Sequence, residues 1–452
     1  MEIITIETPS LGDRSYVLVD GDVAAVIDPQ RDIDRIESLL AKRNLRLTHV
    51  FETHLHNDYV TGGLELARRT NAKYVLAADD KVGYEHNGAA HGDEFMVGRL
   101  IVRVVHTPGH TPTHLSYVVL DDGKPMAVFT GGSMLYGTVG RTDLISVEST
   151  EALTRAQFRS VRHLAEELPG EVSVHPTHGF GSFCSSTATS GTDASTIDQE
   201  REQNLALTLD DEDEFVERLI GGLTAYPRYY SHMAPINRYG PAPVDLSPPE
   251  QVDPIEIRRR IHAGEWIVDL RSRKAFARGH LAGTLNFELG NSFVTYLGWM
   301  MKWETPITLV GDTVDEVTEA QRQMVRIGID RPAGAEDGGL KKWGEGGEIR
   351  NFRSVAFDDL ATAMENSAIV VLDVRRDDEW AAGRIDGAVH IPLPDLERRL
   401  GELPGGDVWV HCSSGYRASI AASMLDRAGR VAVAIDDDWA VAVKHKYLRI
   451  IA

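Results

Sequence analysis

Three short apolar runs open the chain: EIITIET (2–8), SYVLVD (15–20) and VAAVIDP (23–29), separated by turn residues. Runs of this length, rich in Ile and Val and bounded by Gly, Asp and Pro, predict strands. IDRIESLLAKR (33–43) then places apolar residues at helical spacing. LTHVFET (47–53) returns to the strand pattern and runs into a His-rich loop. The pattern recurs loosely, with strands predicted at 101–107, 115–121 and 126–132 and a helix at 153–168. Strand runs followed by helices fit a sheet sandwich flanked by helices.

The pattern breaks at YGPAPVDLSPPEQVDP (239–254), where Pro241, Pro243, Pro248, Pro249 and Pro254 oppose helix and central strand. We read 1–237 as one domain and 238–252 as a Pro-rich linker. Beyond the linker lies an internal repeat. IVDLRSRKAFARGHLAGTLNF (267–287) parallels VLDVRRDDEWAAGRIDGAVHI (371–391), matching Asp269 to Asp373, Phe276 to Trp380, Gly279 to Gly383 and Gly283 to Gly387 at one offset. Each copy later has a second buried-looking strand, ITLV (307–310) or VWVH (408–411), and a helix ending near Gly328 or Gly429. Alternating strands and helices imply parallel sheets covered on both faces. The expected fold class is α/β multidomain, with the repeat as two domains at 253–350 and 353–452.

Composition narrows the function classes. The chain has 452 residues, enough for about three domains. With 47 Lys+Arg against 68 Asp+Glu its formal charge is −21, which argues against nucleic acid as a partner. Two cysteines cannot build a disulfide framework or a Cys-rich zinc site. The N-terminus MEIITIET lacks the basic start and apolar core of a signal peptide, and no apolar run reaches the ~18 residues of a membrane helix. A reduced cytoplasmic setting without a membrane partner is expected, and homo-oligomerisation stays open.

Candidate chemistry gathers at strand ends. In THLHNDYVTGG (53–63), His54, His56 and Asp58 are spaced to project to one side of extended chain. TPGHT brings His110, FTGGS (129–133) follows a third strand, and HPTHG brings His178 after a fourth. These ordered motifs over about 1–235 resemble the metallo-β-lactamase fold superfamily, an αββα sandwich, and look closest to its persulfide dioxygenases. The resemblance implies a single Fe(II) held by His54, His110 and an Asp in a T-G-D motif. Here that motif reads Thr130-Gly131-Gly132, so Gly132 replaces the Asp, and Tyr59 stands where the first motif normally ends in His. A di-zinc hydrolase is disfavoured. The open alternatives are a three-His zinc site (His54, His56, His110), a two-His site completed by His178, Asp58 or water, and a domain that kept the fold and lost the metal. Cys184, in THGFGSFCSS, reads either as a small buried residue or as a thiol that holds a sulfane sulfur beside the pocket.

VWVHCSSGYRASIAASML (408–425) is the clearest signature: a strand, Cys412, a loop closed by Arg417, and a helix. Successive loop amides (Ser413, Ser414, Gly415, Tyr416) form an anion-binding nest, and the helix N-terminus adds partial positive charge. Such surroundings favour a thiolate, making Cys412 a nucleophile. This half resembles a tandem pair of rhodanese sulfurtransferase domains, and the resemblance implies a persulfide on Cys412 whose charge Arg417 and the loop amides stabilise, making Arg417 a catalytic candidate beside Cys412. The first copy reads Leu309-Val310-Gly311-Asp312-Thr313 at its loop, has no Cys and is expected to be silent. The whole chain resembles bacterial persulfide dioxygenase–rhodanese fusions, which implies oxidation of a low-molecular-weight persulfide coupled to sulfur transfer, with thiosulfate or sulfite as partner molecules. Three alternatives remain: a sulfurtransferase with a degenerate N-terminal domain, a zinc thioesterase resembling glyoxalase II, and a non-enzymatic persulfide sensor or docking protein.

Overall fold

The structure is a computed structural model that describes residues 1–186, 191–366 and 369–451. It divides into two compact units, Met1–Val244 with Val325–Ile329, and Asp245–Met324 with Asp330–Ala452.

In the first unit two six-stranded sheets face each other. One holds Glu2–Thr8, Asp13–Asp20, Val23–Ile27, Arg46–Phe51, Lys73–Ala77 and Asn87–Ala89 in chain order. The other runs Ser195–Thr196, Ser173–Pro176, Lys124–Gly131, Leu115–Asp121, Leu100–His106, Glu94–Val97. Side chains alternate across each sheet. Tyr16, Leu18, Ile27, Phe51, Tyr117, Val119 and Phe129 fill the space between the sheets. The intervening Val17, Val19 and Val26 face the helices Asp34–Arg43 and Gly63–Thr70. Val118, Leu120 and Val128 face the helices Thr150–Glu167 and Glu212–Gly221. Strands buried on both faces explain why these runs are continuously apolar. The order is helix, sheet, sheet, helix, as the pattern predicts. Two contacts bring strand ends from different motifs together. Leu115 donates its amide to the Thr53 carbonyl across the sheets (2.7 Å), and Gly131 pairs in parallel with Pro176.

The second unit carries two parallel sheets. The first orders Leu285–Asn286, Trp266–Asp269, Ile307–Val310 and Gly334–Glu336. The second orders Arg353–Val355, Ala432–Ile435, Val408–His411, Val370–Asp373 and Val389–His390. The repeat is structural as well as sequential. Arg271 pairs with Asp269 and donates to the Gly279 carbonyl (3.0 Å), and Arg375 does the same with Asp373 and the Gly383 carbonyl (2.7 Å). Each guanidinium lies over a tryptophan, Trp343 at 5.0 Å and Trp439 at 3.7 Å. Between 240 and 253 the chain forms no helix or strand beyond an isolated bridge from Gln251 to Ala335.

Candidate functional sites

The loops after Phe51, His106, Gly131 and Pro176 bring His54, His56, His110 and His178 into one buried cluster. The His54 ring lies 4.1 Å from that of His56, 4.7 Å from His110 and 5.4 Å from His178. Donor atoms of His54, His56 and His178 stand within 4.8 Å of one another, and so do those of His110, His178 and Cys184.

Hydrogen bonds at the opposite ring nitrogens set the tautomers. Thr53 Oγ1 donates to Asp28 (2.7 Å), so it accepts from His54 Nδ1 (2.9 Å) and leaves His54 Nε2 as a lone pair. His110 Nδ1 donates to the Arg141 carbonyl (2.7 Å), and its buried Nε2 has no hydrogen-bond partner. His178 Nδ1 faces Asp13 (2.9 Å) and Asp58 (3.2 Å), so its Nε2 looks inward, 3.4 Å from His54 Nε2. His56 is held the other way round. Its Nε2 meets Asp28 (3.2 Å), Glu52 (3.3 Å) and the Tyr59 hydroxyl (2.9 Å), leaving Nδ1. Tyr59, where a histidine was expected, stacks on His56 with ring centroids 4.2 Å apart.

Electrostatics divide the cluster. Burial pushes His54 well down, with the neighbouring histidines adding to it, and takes His110 to about 3. Burial also opposes charge on His178 and His56, but the carboxylates win. Asp58 and Asp13 raise His178 well above its ordinary value, and Asp28 with Glu52 takes His56 to about 9. Cys184 is fully buried, its thiol pushed well up by burial and by the nearby Asp58 and Asp13.

Position 132 explains the missing carboxylate. A Cβ on Gly132 would stand 2.2 Å from His110 Cδ2, and one on Gly140 would stand 2.8 Å from His110 Nδ1. The His110 ring occupies the space that a side chain at 132 would need. The neighbouring carboxylates Asp13 and Asp58 face the outer nitrogen of His178. The residues therefore do not fit a two-His-one-carboxylate iron site built at position 132.

Sequence reasoning missed several members of this cluster. Asp28 ties the Thr53 amide, the Thr53 hydroxyl and Thr177 together. His114 accepts the Gly132 amide at Nε2 (3.1 Å) and so donates from Nδ1 to Thr107 Oγ1 (2.9 Å). Asp13 and Glu52 complete the buried carboxylates. His114, four residues after His110, and Glu52, two residues before His54, were the ones with a local signal.

The second site is built at the strand Val408–His411. Cys412 is buried, Gly415 takes φ 86° at the start of the helix Tyr416–Arg427, and the Ser413 carbonyl accepts the Trp439 amide (2.8 Å). A Cβ on Gly415 would lie 2.2 Å from Asp436 Oδ1, so this turn requires glycine. Arg417 is committed within the loop: it donates to Glu379 at 2.6 and 2.8 Å and to Ser413 Oγ at 2.8 Å. Burial opposes charge on Glu379, but Arg417 overcomes it and holds the carboxyl at about 2. Arg417 thus shapes the loop together with Glu379 and Ser413. His411 is buried, stacked on Trp439 with centroids 5.4 Å apart, and burial lowers it to about 4. Tyr416 donates its hydroxyl to the Glu288 carbonyl (2.9 Å) in the Cys-less copy.

Comparison with known proteins agrees with both halves. The metallo-beta-lactamase superfamily model matches 12–164, and the rhodanese-like domain model matches 253–345 and 356–440. The chain carries a metallo-beta-lactamase domain followed by a tandem pair of rhodanese-like domains. It is 29% identical over 225 residues to human mitochondrial persulfide dioxygenase ETHE1, covering 47% of this chain and 75% of that protein. It is 32% identical over 146 residues to a human hydroxyacylglutathione hydrolase-like protein, covering 32% of this chain and 48% of the relative. A crystal structure of a metallo-beta-lactamase from Staphylococcus aureus superposes with TM-score 0.66 at 28% identity, over 74% of this chain and 98% of that one. Among the described residues, no helix is long and apolar enough to cross a membrane.

Proposed function

We propose that the chain is an enzyme of sulfur metabolism in which Cys412 carries sulfane sulfur. One observation carries this reading: the Cys412 thiol sits at a strand-to-helix turn whose loop is held open to an anion by the Arg417–Glu379 pair. The Cys412 thiolate attacks the outer sulfur of thiosulfate. The S–S bond to the sulfonate breaks, sulfite leaves with the electron pair, and Cys412 becomes a persulfide. A second thiolate or cyanide then takes the terminal sulfur and restores the thiolate. Loop amides and the helix N-terminus hold the negative charge on the persulfide. Thiocyanate formation from thiosulfate and cyanide tests it: wild type turns over and Cys412→Ser does not. Turnover by the Ser variant overturns the reading, and so does an inert wild type.

A second reading assigns oxidation of a low-molecular-weight persulfide to the N-terminal domain, supported by the likeness to a persulfide dioxygenase. His54 and His110 would hold a metal there, which would supply oxygen chemistry when bound. The absence of a carboxylate at Gly132 counts against Fe(II). Oxygen uptake by the iron-loaded protein with glutathione persulfide tests this reading, and no uptake overturns it. The hydrolase-like relative keeps a zinc thioesterase as the competing activity.

A further inference from the structure

One guanidinium of the Cys-less copy reaches the loop that carries Cys412. Arg273 opens the helix Arg273–Arg278. Its Nε donates to Asp436 Oδ1 (2.7 Å) and its Nη1 to Glu288 Oε2 (2.6 Å). Both acceptors flank the cysteine loop. A Cβ on Gly415 would stand 2.2 Å from Asp436 Oδ1, so that carboxylate lies directly against the Gly415 backbone. The Asp436 amide donates to the Val355 carbonyl (2.9 Å), which anchors the acceptor to the sheet of the second copy. The Glu288 carbonyl accepts the Tyr416 hydroxyl (2.9 Å). Consecutive loop residues, Gly415 and Tyr416, are thus each braced by a residue that Arg273 holds. The side chains of Arg273, Glu288 and Asp436 are 29%, 23% and 10% exposed, so the bridge is partly shielded from water. Lys274 stands 3.8 Å from Asp436 Oδ2 but is 66% exposed, a weaker partner for the same carboxylate. The internal repeat sets Arg273 apart. Its offset, 373 − 269 = 104, matches Arg273 to Asp377, which opens the equivalent helix Asp377–Ala381 and is 88% exposed. The same fold forms with an exposed residue of opposite charge at this position, so Arg273 serves something other than building its own domain.

We propose that Arg273, in the copy without a cysteine, is a positioning residue for Cys412. It pins Asp436 behind Gly415 and the Glu288 segment against Tyr416, and so fixes the turn between Cys412 and the helix Tyr416–Arg427. A guanidinium can serve two carboxylates in fixed directions, whereas an ammonium serves them only as a point charge. Without Arg273, Asp436 and Glu288 lose their shared cation and the turn loosens. The consequence for turnover rests on the sulfur-transfer reading, while the bracing of the loop does not. Because Arg273 acts through Gly415 and Tyr416, its loss falls on kcat and spares KM.

The test uses the full chain, reduced, as wild type, Arg273→Gln, Arg273→Lys and Arg278→Gln, the last removing an exposed cation from the same helix. Two rates are read: thiosulfate–cyanide transfer, and alkylation of Cys412 by iodoacetamide followed on its own peptide. Cys412 is 1% exposed, so alkylation reports opening of the loop and needs no sulfur transfer. Arg273→Gln should lower kcat about tenfold, keep KM within about twofold and speed alkylation about fivefold. That faster alkylation should stay flat in low urea, as local opening does. Arg273→Lys should fall between it and wild type, and Arg278→Gln should match wild type. Wild-type rates in Arg273→Gln overturn the proposal. So do an equal loss in Arg278→Gln, a loss confined to KM, and alkylation that climbs steeply with urea, the mark of global unfolding. If Arg273→Gln does not fold, Arg273→Lys decides: a change of about threefold in both rates supports the proposal and no change overturns it. Faster alkylation in a protein whose wild type does not turn over thiosulfate keeps the positioning role and removes the sulfur-transfer reading.

Discussion

The two rhodanese-like copies share a strand, a turn and a helix, yet in only one of them does a side chain of the loop's own helix take up the loop amides. In the second copy, Glu379 comes from another helix and binds Arg417, so the loop amides stay available. In the first copy, Glu316 turns back from the loop's own helix and accepts the amides of Asp312 (2.6 Å) and Thr313 (3.1 Å). The Cys-less copy lacks more than a thiol: its loop amides are already bound by a carboxylate. Placement of one acidic residue separates an open site from a closed one.

The comparison can be broken most severely at the thiol. Cys412→Ser should take thiosulfate–cyanide transfer to background, and adding Gly311→Cys to that variant should not restore it. Recovery of transfer would show that Glu316 does not close the first loop. Arg417→Lys should lower kcat/KM by about 100-fold, since a single ammonium cannot reproduce the two bonds to Glu379. A smaller effect falls on stability. Gly415→Ala forces a Cβ into Asp436 at positive φ and should cost about 2 kcal/mol or more in denaturant unfolding. Gly311→Ala meets the carboxylate end of Glu316 at 3.0 Å and otherwise only ordinary contacts, Glu316 Cβ at 3.5 Å and Leu270 Cδ1 at 3.8 Å, and should cost about 1 kcal/mol or less. The smallest effect is a pH signature. Glu379 ionises well below its ordinary 4.5, at about 2, so its pairing stabilises the fold fully above pH 4.5. That stability is lost as pH falls toward 2, so the difference between wild type and Glu379→Gln should shrink across this window. A difference independent of pH would remove the ion pair from the account of the loop.

The sandwich and both parallel sheets were legible because each strand, such as VAAVI or VWVH, is a compact apolar run. The Cys412 loop was legible because its parts are contiguous in the chain. The histidine cluster was legible only in its ligand-bearing motifs. Asp13 and Asp28 reach it from other strands, and Glu379 lies far from Arg417 in sequence, so no local spacing marks them. Gly132 shows the limit most clearly. In sequence it is a deleted ligand, whereas in the fold it is the space into which the His110 ring packs.

Asn286, in the Cys-less copy, links the halves of the second unit. Its amide donates to Ser423 Oγ (3.1 Å), its Oδ1 accepts from Ser419 Oγ (2.8 Å), and its Nδ2 donates to the carbonyls of Asp269 and Arg271. Ser419 and Ser423 lie on the helix that begins at the cysteine loop. One side chain thus ties the backbone of the first copy to the helix that follows Cys412 in the second. The two copies should melt as one cooperative block, and the Cys-less copy serves as the mould against which its twin is set.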